Sequence, residues 1–337
     1  MRVVLRADAG VTQGTGHVMR CITLAEELRS RGHEVHLVTH ELAIDWLSTA
    51  VAASGVTVHP SALDTLSTSQ VVELHPDWVV VDSYRIPARE ISLANDAVPV
   101  LAIVDEDTRD IRASLYLDQN LGAERVRRPS WMEPRMLAGA EYVLVRDAVL
   151  EARRPEPWLI QGGRATIVSF MGGTDPTGAC THVVRELVHA DVEADLVVVA
   201  PGEQHEAIRS LLAGRSGAEV LLPTPDLPQL FARADIVVSA AGTSAWDLCT
   251  LGVPSVLMAV VENQSPSLAE AVARGAALGL DVSDDVRSLV GRLGALVITL
   301  LSEEATRHRL SMTSREIFDG EGKSRVVDRM EQEVVGR

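Results

Sequence analysis

Short runs of Val, Leu and Ile alternate along the chain with longer stretches in which apolar residues recur every three or four positions. The runs read as strands buried on both faces and the longer stretches as amphipathic helices, an order that builds βαβ units around parallel sheets. Strands are predicted at Val3–Ala7, Glu34–Thr39, Trp78–Asp82, Val100–Asp105, Leu115–Asp118 and Tyr142–Arg146. A second series follows at Ala165–Phe170, Asp195–Ala200, Glu219–Leu222, Asp235–Ala240 and Pro254–Ala259. Residues 151–158 lie between the two series, are polar with two prolines, and read as a linker rather than helix or strand. The pattern therefore predicts an α/β protein of two Rossmann-like domains, 1–150 and 159–315, with parallel sheets facing an interdomain cleft. A closing helical segment, 316–337, is expected to return to the first domain. At ~150 residues per domain, a chain of 337 residues fits that division.

Charge narrows the choice of partner. The chain carries 31 Lys+Arg against 47 Asp+Glu, a formal −16, which opposes binding to nucleic-acid backbones or anionic membrane surfaces. A small anionic ligand then needs a locally prepared pocket. Cys21, Cys180 and Cys249 lie far apart among apolar neighbours, so neither a disulfide framework nor a CxxC metal site is available. The N-terminal apolar run is too short for a signal peptide and no ~18-residue apolar stretch occurs, so a cytoplasmic protein is expected. Oligomeric state is not written in the sequence.

Ligands of doubly wound sheets bind beyond the carboxyl ends of the strands, which directs attention to the loops there. After the first strand come Asp8 and the loop Gly10–His17, containing Gly14 and Gly16, and then a helix whose apolar stripe is Val18, Cys21, Ile22, Ala25 and Leu28. Gly32 ends that helix as a C′ glycine would. His17 thus sits in a helix first turn, where the dipole favours the neutral, base-competent imidazole. It serves either as a general base or as a donor to a loop carbonyl. Asp8 either orients it or caps the loop. The Gly-x-Gly is no dinucleotide fingerprint, because Met19 stands at the third glycine position. No cofactor is predicted.

In the second domain, Gly172, Gly173 and Thr174 follow a strand, permit close backbone approach, and precede a helix N-terminus able to hold negative charge. Gly242, Thr243 and Ser244 open another helix after a strand, and Asp247 lies just inside it. Their N–H groups and hydroxyls suit a diphosphate without lysine or metal, with Asp247 accepting from ribose hydroxyls; a plain N-cap is the alternative. Asn263 and Gln264, after Pro254–Ala259, suit sugar substituents or a turn. The single lysine, Lys323, follows Gly322, but Ile317 occupies the first glycine position of a Walker A loop. His33, His36 and His40 do not share a strand face, so no metal site is predicted. Asp105 and Asp107, at a strand end, either reach the cleft or are solvated loop carboxylates, the commoner outcome.

The ordered series Arg6-Ala7-Asp8, Gly14 to Cys21, Val81-Asp82-Ser83-Tyr84, Leu117 to Asn120, Met171 to Asp175, Glu262-Asn263-Gln264 and Asp319 to Val326 resembles a known family. It is that of the UDP-2,4-diacetamido-2,4,6-trideoxy-β-L-altropyranose hydrolases of pseudaminic acid biosynthesis, and the resemblance spans nearly the whole chain. It implies the GT-B fold of glycosyltransferases, similar to the UDP-N-acetylglucosamine transferase that makes lipid II, but with water as acceptor. It implies His17 as general base for water attack at the anomeric carbon with inversion, Tyr84 and Asn263 in the sugar pocket, and Gly173, Gly242, Thr243 and Ser244 around UDP. Two departures stand out. Asp247 replaces the usual glutamate, and Ser83 precedes Tyr84 where histidine is common, so the sugar itself is left open. The alternatives are a glycosyltransferase using the same donor with a hydroxyl or amine acceptor, and a sugar-nucleotide-binding protein without turnover.

Overall fold

The structure, a computed structural model, describes residues 1–10, 14–105, 108–154 and 163–335. The chain divides into two compact units, Met1–Asp147 with Gly320–Arg337, and Ala148–Asp319. The first runs β1 (Arg2–Ala7), α1 (Gly16–Ser30), β2 (Glu34–Thr39), α2 (Asp45–Ala53), β3 (Thr57–Pro60), α3 (Thr68–Glu73), β4 (Trp78–Asp82), α4 (Ala88–Ala97), β5 (Val100–Ile103), β6 (Leu115–Asp118) and β7 (Met136–Ala138). Helix α5 (Asp147–Ala152) begins at its end. The second unit runs β8 (Ala165–Phe170), α6 (Ala179–His189), β9 (Ala194–Val199), α7 (His205–Leu211), β10 (Ala218–Leu221), α8 (Leu227–Arg233), β11 (Ile236–Ala240), α9 (Thr243–Leu251), β12 (Ser255–Ala259), α10 (Ser265–Ala273), β13 (Leu278–Asp281), α11 (Arg292–Ser302) and α12 (Glu304–Ile317). The final helix, α13 (Gly322–Val335), belongs to the first unit.

Both sheets are parallel, in the orders β3-β2-β1-β4-β5-β6-β7 and β10-β9-β8-β11-β12-β13. Each order reverses direction once, between β1 and β4 and between β8 and β11. Those switch points leave a crevice outside the strand carboxyl ends, where such folds bind ligands.

Strand alternation sorts the first unit's core. Val3, Leu5, Trp78, Val80, Leu101 and Leu117 face α1 and α13, whereas Val4, Val79, Val81, Ala102 and Tyr116 face α3 and α4. Helix α13 is held on this unit by buried Val326, Val327 and Met330, each worth about 1.5–3 kcal/mol of apolar burial. The Trp78 indole N–H donates to the Met330 carbonyl at 3.2 Å, satisfying the one polar atom it brings into the core. Gly322 opens α13 hard against Tyr142 and the Val143 carbonyl, where a β-carbon has no room.

The predicted strand Tyr142–Arg146 does not form. A 3-10 turn, Ala140–Tyr142, ends there, and Val143, Leu144 and Val145 are buried without a strand neighbour. Their apolar run reflects burial, and the Leu144 N–H is satisfied by Gln119 Oε1 at 3.1 Å instead of by a ladder. The short strand β7 takes the edge position. Three strands were not predicted: β3, half-exposed and closing on Pro60 at the opposite edge, and the brief β7 and β13. Of the predicted linker, Glu151 and Ala152 close α5, and 155–158 lie outside the described residues. Among the described residues no helix is long and apolar enough to cross a membrane.

Candidate active site

The first switch point assembles a charged cluster from four segments. Helix α1 starts directly after the β1 loop, so His17 and Arg20, three residues apart, project from one helix face beside the carboxyl end of β4. There the last residue of β4, Asp82, is fully buried between them. His17 Nδ1 lies 2.6 Å from Asp82 Oδ1. An ionised carboxylate only accepts, so Nδ1 carries the proton and the Nε2 lone pair is left for chemistry. Among the described residues nothing hydrogen-bonds Nε2.

Arg20 meets the same carboxylate in a fork, with Nε 2.8 Å from Oδ2 and Nη2 2.7 Å from Oδ1. Its Nη2 also lies 3.1 Å from His17 Nδ1, so two donors converge on one Asp82 oxygen. Burial alone pushes the Asp82 carboxyl up, but Arg20 and His17 overcome it and hold Asp82 below its ordinary value. Arg20 is correspondingly driven further toward its charged form, against its own desolvation.

Tyr84, two residues past β4, sets its ring edge-on to His17 with centroids 4.7 Å apart. Its hydroxyl donates to Asp105, which also accepts from Asn120 Nδ2 at 2.7 Å and lies 3.7 Å from Arg20 Nη1. Of the two readings open for Asp105, the structure thus ties it into the cluster rather than leaving it solvated, while Asp107 lies outside the described residues. Arg109 pins the Tyr84 loop through the carbonyls of Ser83 at 2.6 Å and Tyr84 at 2.7 Å.

Asp8 stands apart from His17. Its two oxygens take the Arg6 guanidinium at 2.5 and 2.7 Å, and accept from the backbone N–H groups of His40 and Asp64. Burial raises this carboxyl, and those donors more than reverse the effect. Of the two roles left open for Asp8, the structure shows loop bracing, and the partner of His17 is Asp82. Gly14 pairs with Gly10 through two backbone bonds of 2.8 and 3.2 Å and takes the left-handed conformation, while Gly16 begins α1.

At the second switch point the two glycine loops differ. Gly172, after β8, adopts φ +101 beside open space. The α6 N-terminus beyond it, however, is already capped. Asp175 accepts from the Ala179 and Cys180 N–H groups at 3.0 and 2.9 Å and from Gln204 Nε2 at 3.0 Å. The expectation that this helix end holds a ligand's negative charge is thereby corrected, since a protein carboxylate already occupies it. Gly173 and Thr174 remain as loop backbone in front of it.

Helix α9 shows the opposite arrangement. Gly242 is its N-cap residue, and while the Ala245 N–H turns back to the Gly242 carbonyl at 2.9 Å, no described residue occupies the Thr243 and Ser244 N–H groups or hydroxyls at the carboxyl end of β11. Asp247 is buried one turn further along. Gln264, on the neighbouring β12 loop, has its Oε1 fixed by the Val260 N–H at 3.0 Å, and its Nε2 lies beside Gly242. The structure thus brings Gly242, Thr243, Ser244 and Gln264 together, with Asn263 next to them on an exposed turn. Among the described residues no group of three or more His, Cys, Asp and Glu is arranged to hold a metal ion.

Two all-parallel Rossmann-like units, each with its candidate site at the sheet's switch point, define a protein of the GT-B glycosyltransferase-like fold. No family model matches the sequence. The chain is 24% identical to the spore coat polysaccharide biosynthesis protein SpsG of Bacillus subtilis, over 99% of this chain and 100% of that one. Among solved structures it is similar to MnaA of S. aureus with UDP, TM-score 0.68 and 14% identity over 99% of this chain and 96% of that one. It is also similar to the glycosyltransferase VinC with dTDP, TM-score 0.63 and 16% identity over 100% of both.

Proposed function

We propose that the protein hydrolyses a UDP-activated acetamido or amino deoxysugar at the anomeric C1–O bond, releasing UDP and the free sugar with inversion. The observation that carries this reading is the His17–Asp82 pair at the first switch point, with an Nε2 that no described residue engages. It is supported by the UDP- and dTDP-bound neighbours and by the polysaccharide-biosynthesis name of the SpsG relative.

In the proposed step, His17 Nε2 takes a proton from water as the water oxygen bonds to C1, and the C1–O bond breaks with its electron pair leaving on the diphosphate. The Asp82 carboxylate accepts from Nδ1–H, fixing the tautomer and the ring orientation, as the third group of hydrolytic triads does. The second unit supplies the leaving-group site: the open α9 N-terminus with Gly242, Thr243 and Ser244, the Gly172–Thr174 backbone, and Asp247 toward the ribose. Tyr84 in the first unit and Asn263 in the second are assigned to sugar binding, and Gln264 to the sugar or the diphosphate.

The same base activates a hydroxyl or amine as readily as water, so a glycosyltransferase is the second reading, favoured by the likeness to VinC. Incubating the protein with UDP-, GDP-, CMP- and dTDP-sugars without acceptor, read by mass spectrometry, separates the two. UDP release with free sugar supports hydrolysis. Release that appears only when an acceptor is added rejects it, and release in neither condition leaves a binding protein.

A further inference from the structure

The Arg20 fork on Asp82 goes beyond what a positioned general base requires. A lone buried carboxylate 2.6 Å from an imidazole would favour a closed His⁺–Asp⁻ ion pair, and a protonated His17 cannot accept a proton from water. Here both Asp82 oxygens are also held by a guanidinium at 2.7 and 2.8 Å. We infer that Arg20 is a positioning residue that keeps His17 in its neutral form, cancelling the charge of Asp82 while leaving one of its oxygens to orient Nδ1–H. Asp82 then acts on His17 as a hydrogen-bond acceptor within a neutral pair rather than as a bare anion.

The groups facing His17 bear this out. Among the described residues, Arg20, Asp82 and Tyr84 meet His17 directly, Asp105 reaches it through Arg20 and Tyr84, and Cys21 lies beside Asp82 and Arg20 on α1, with Arg6 further off. Burial first, and then the nearby Asp82 charge, push the Cys21 thiol well up, so it stays neutral. The Tyr84 hydroxyl is a donor to Asp105. Among the described residues Arg20 is therefore the one cation bonded to Asp82, and its Nη1 lies 3.7 Å from Asp105 as well, so its removal leaves both carboxylates without that cation.

The inference takes from the proposed function only that His17 is the base. Its test is blind to turnover: nitrogen-15 and carbon-13 NMR of histidine-labelled protein, with the His17 signals assigned by their loss in His17→Leu. In Arg20→Met the protonation midpoint of His17 is expected to rise by at least ~0.7 pH units, the effect of a unit charge about 4 Å away even under bulk-water screening. Arg20→Lys, which keeps the charge, stays near wild type. The double variant Arg20→Met/Asp82→Asn removes both charges and returns the midpoint toward wild type. Should Arg20→Met alone not fold, Asp82→Asn read against the double variant isolates the Arg20 charge, and the midpoint is lower where Arg20 remains. An Arg20→Met midpoint that is unchanged or lower, or a double variant as high as Arg20→Met, overturns the inference. In kinetics, the acid limb of kcat/KM moves with the midpoint. Failure of this test leaves the hydrolase reading intact, and failure of the acceptor-free assay leaves the NMR result interpretable.

Discussion

Replacing Asp82 with Asn separates catalysis from binding. Asparagine has one acceptor oxygen where aspartate has two, yet Arg20 and His17 both direct donors at position 82, over 2.6 to 2.8 Å. The guanidinium is permanently charged and the stronger donor, so it keeps the amide oxygen, and the amide NH2 turns toward His17 Nδ1. Nδ1 must then accept, the imidazole proton moves to Nε2, and the lone pair that should meet water is gone. General-base catalysis is worth about 10²–10⁴-fold, and a wrong tautomer forfeits most of it, so kcat should fall by about 10³-fold. Breaking a buried ion pair costs about 3–5 kcal/mol. The low end is expected here, because Asp105 remains 3.7 Å from Arg20. Steady-state UDP release gives kcat, calorimetry with UDP gives Kd, and urea unfolding gives the stability. The expected result is a kcat loss of about 10³-fold with UDP affinity unchanged, since the residues proposed to hold the diphosphate belong to the second unit. A folded Asp82→Asn protein that retains near-normal kcat would refute the tautomer argument.

Other substitutions test separate parts of the structure. Asp8→Asn should cost about 3 kcal/mol at neutral pH by stranding Arg6. Because the folded-state value of Asp8 is lowered, its contribution is complete above the unfolded value near pH 4 and fades as pH falls through the folded value, so the mutational penalty in urea should shrink toward pH 3. Thr243→Val with Ser244→Ala should weaken UDP binding about tenfold by calorimetry, at roughly 0.5–1.5 kcal/mol per hydroxyl contact, while leaving thermal stability nearly unchanged. Gly322→Ala forces a methyl group into the Val143 carbonyl and the Tyr142 backbone, neither of which can swing aside as a side-chain end could. It should destabilise α13 by about 1–3 kcal/mol, seen as a lowered Tm, and a variant as stable as the parent would show that the docking can shift.

Much of this was legible in the chain because both sheets are buried on two faces. Runs such as Trp-Val-Val-Val-Asp at Trp78–Asp82 can be little else than central strands, and their ends mark the site loops. The Tyr142–Arg146 run misled because burial against a returning helix leaves the same apolar signature as a strand. His17 was readable from its place after a strand and glycines, and Tyr84 from its family resemblance. Asp82 carries no such signal, since it is 65 residues from His17 and reads as the polar stop of an apolar strand. Asp8, close in sequence and equally acidic, is the nearer candidate on spacing alone. Asp175 could have been read as a cap, four and five residues ahead of the N–H groups it binds. Arg20 carried one signal, its i+3 spacing from His17, which places the two on one helix face.

Reaction in oxygen-18-labelled water with a UDP-sugar and no acceptor tests the role of His17 most directly. Attack at C1 by water activated through His17 puts the label in the free sugar, gives the inverted anomer in the first NMR spectrum, and disappears in His17→Leu while UDP still binds. Label in UDP instead of the sugar, or undiminished turnover by His17→Leu, would contradict it.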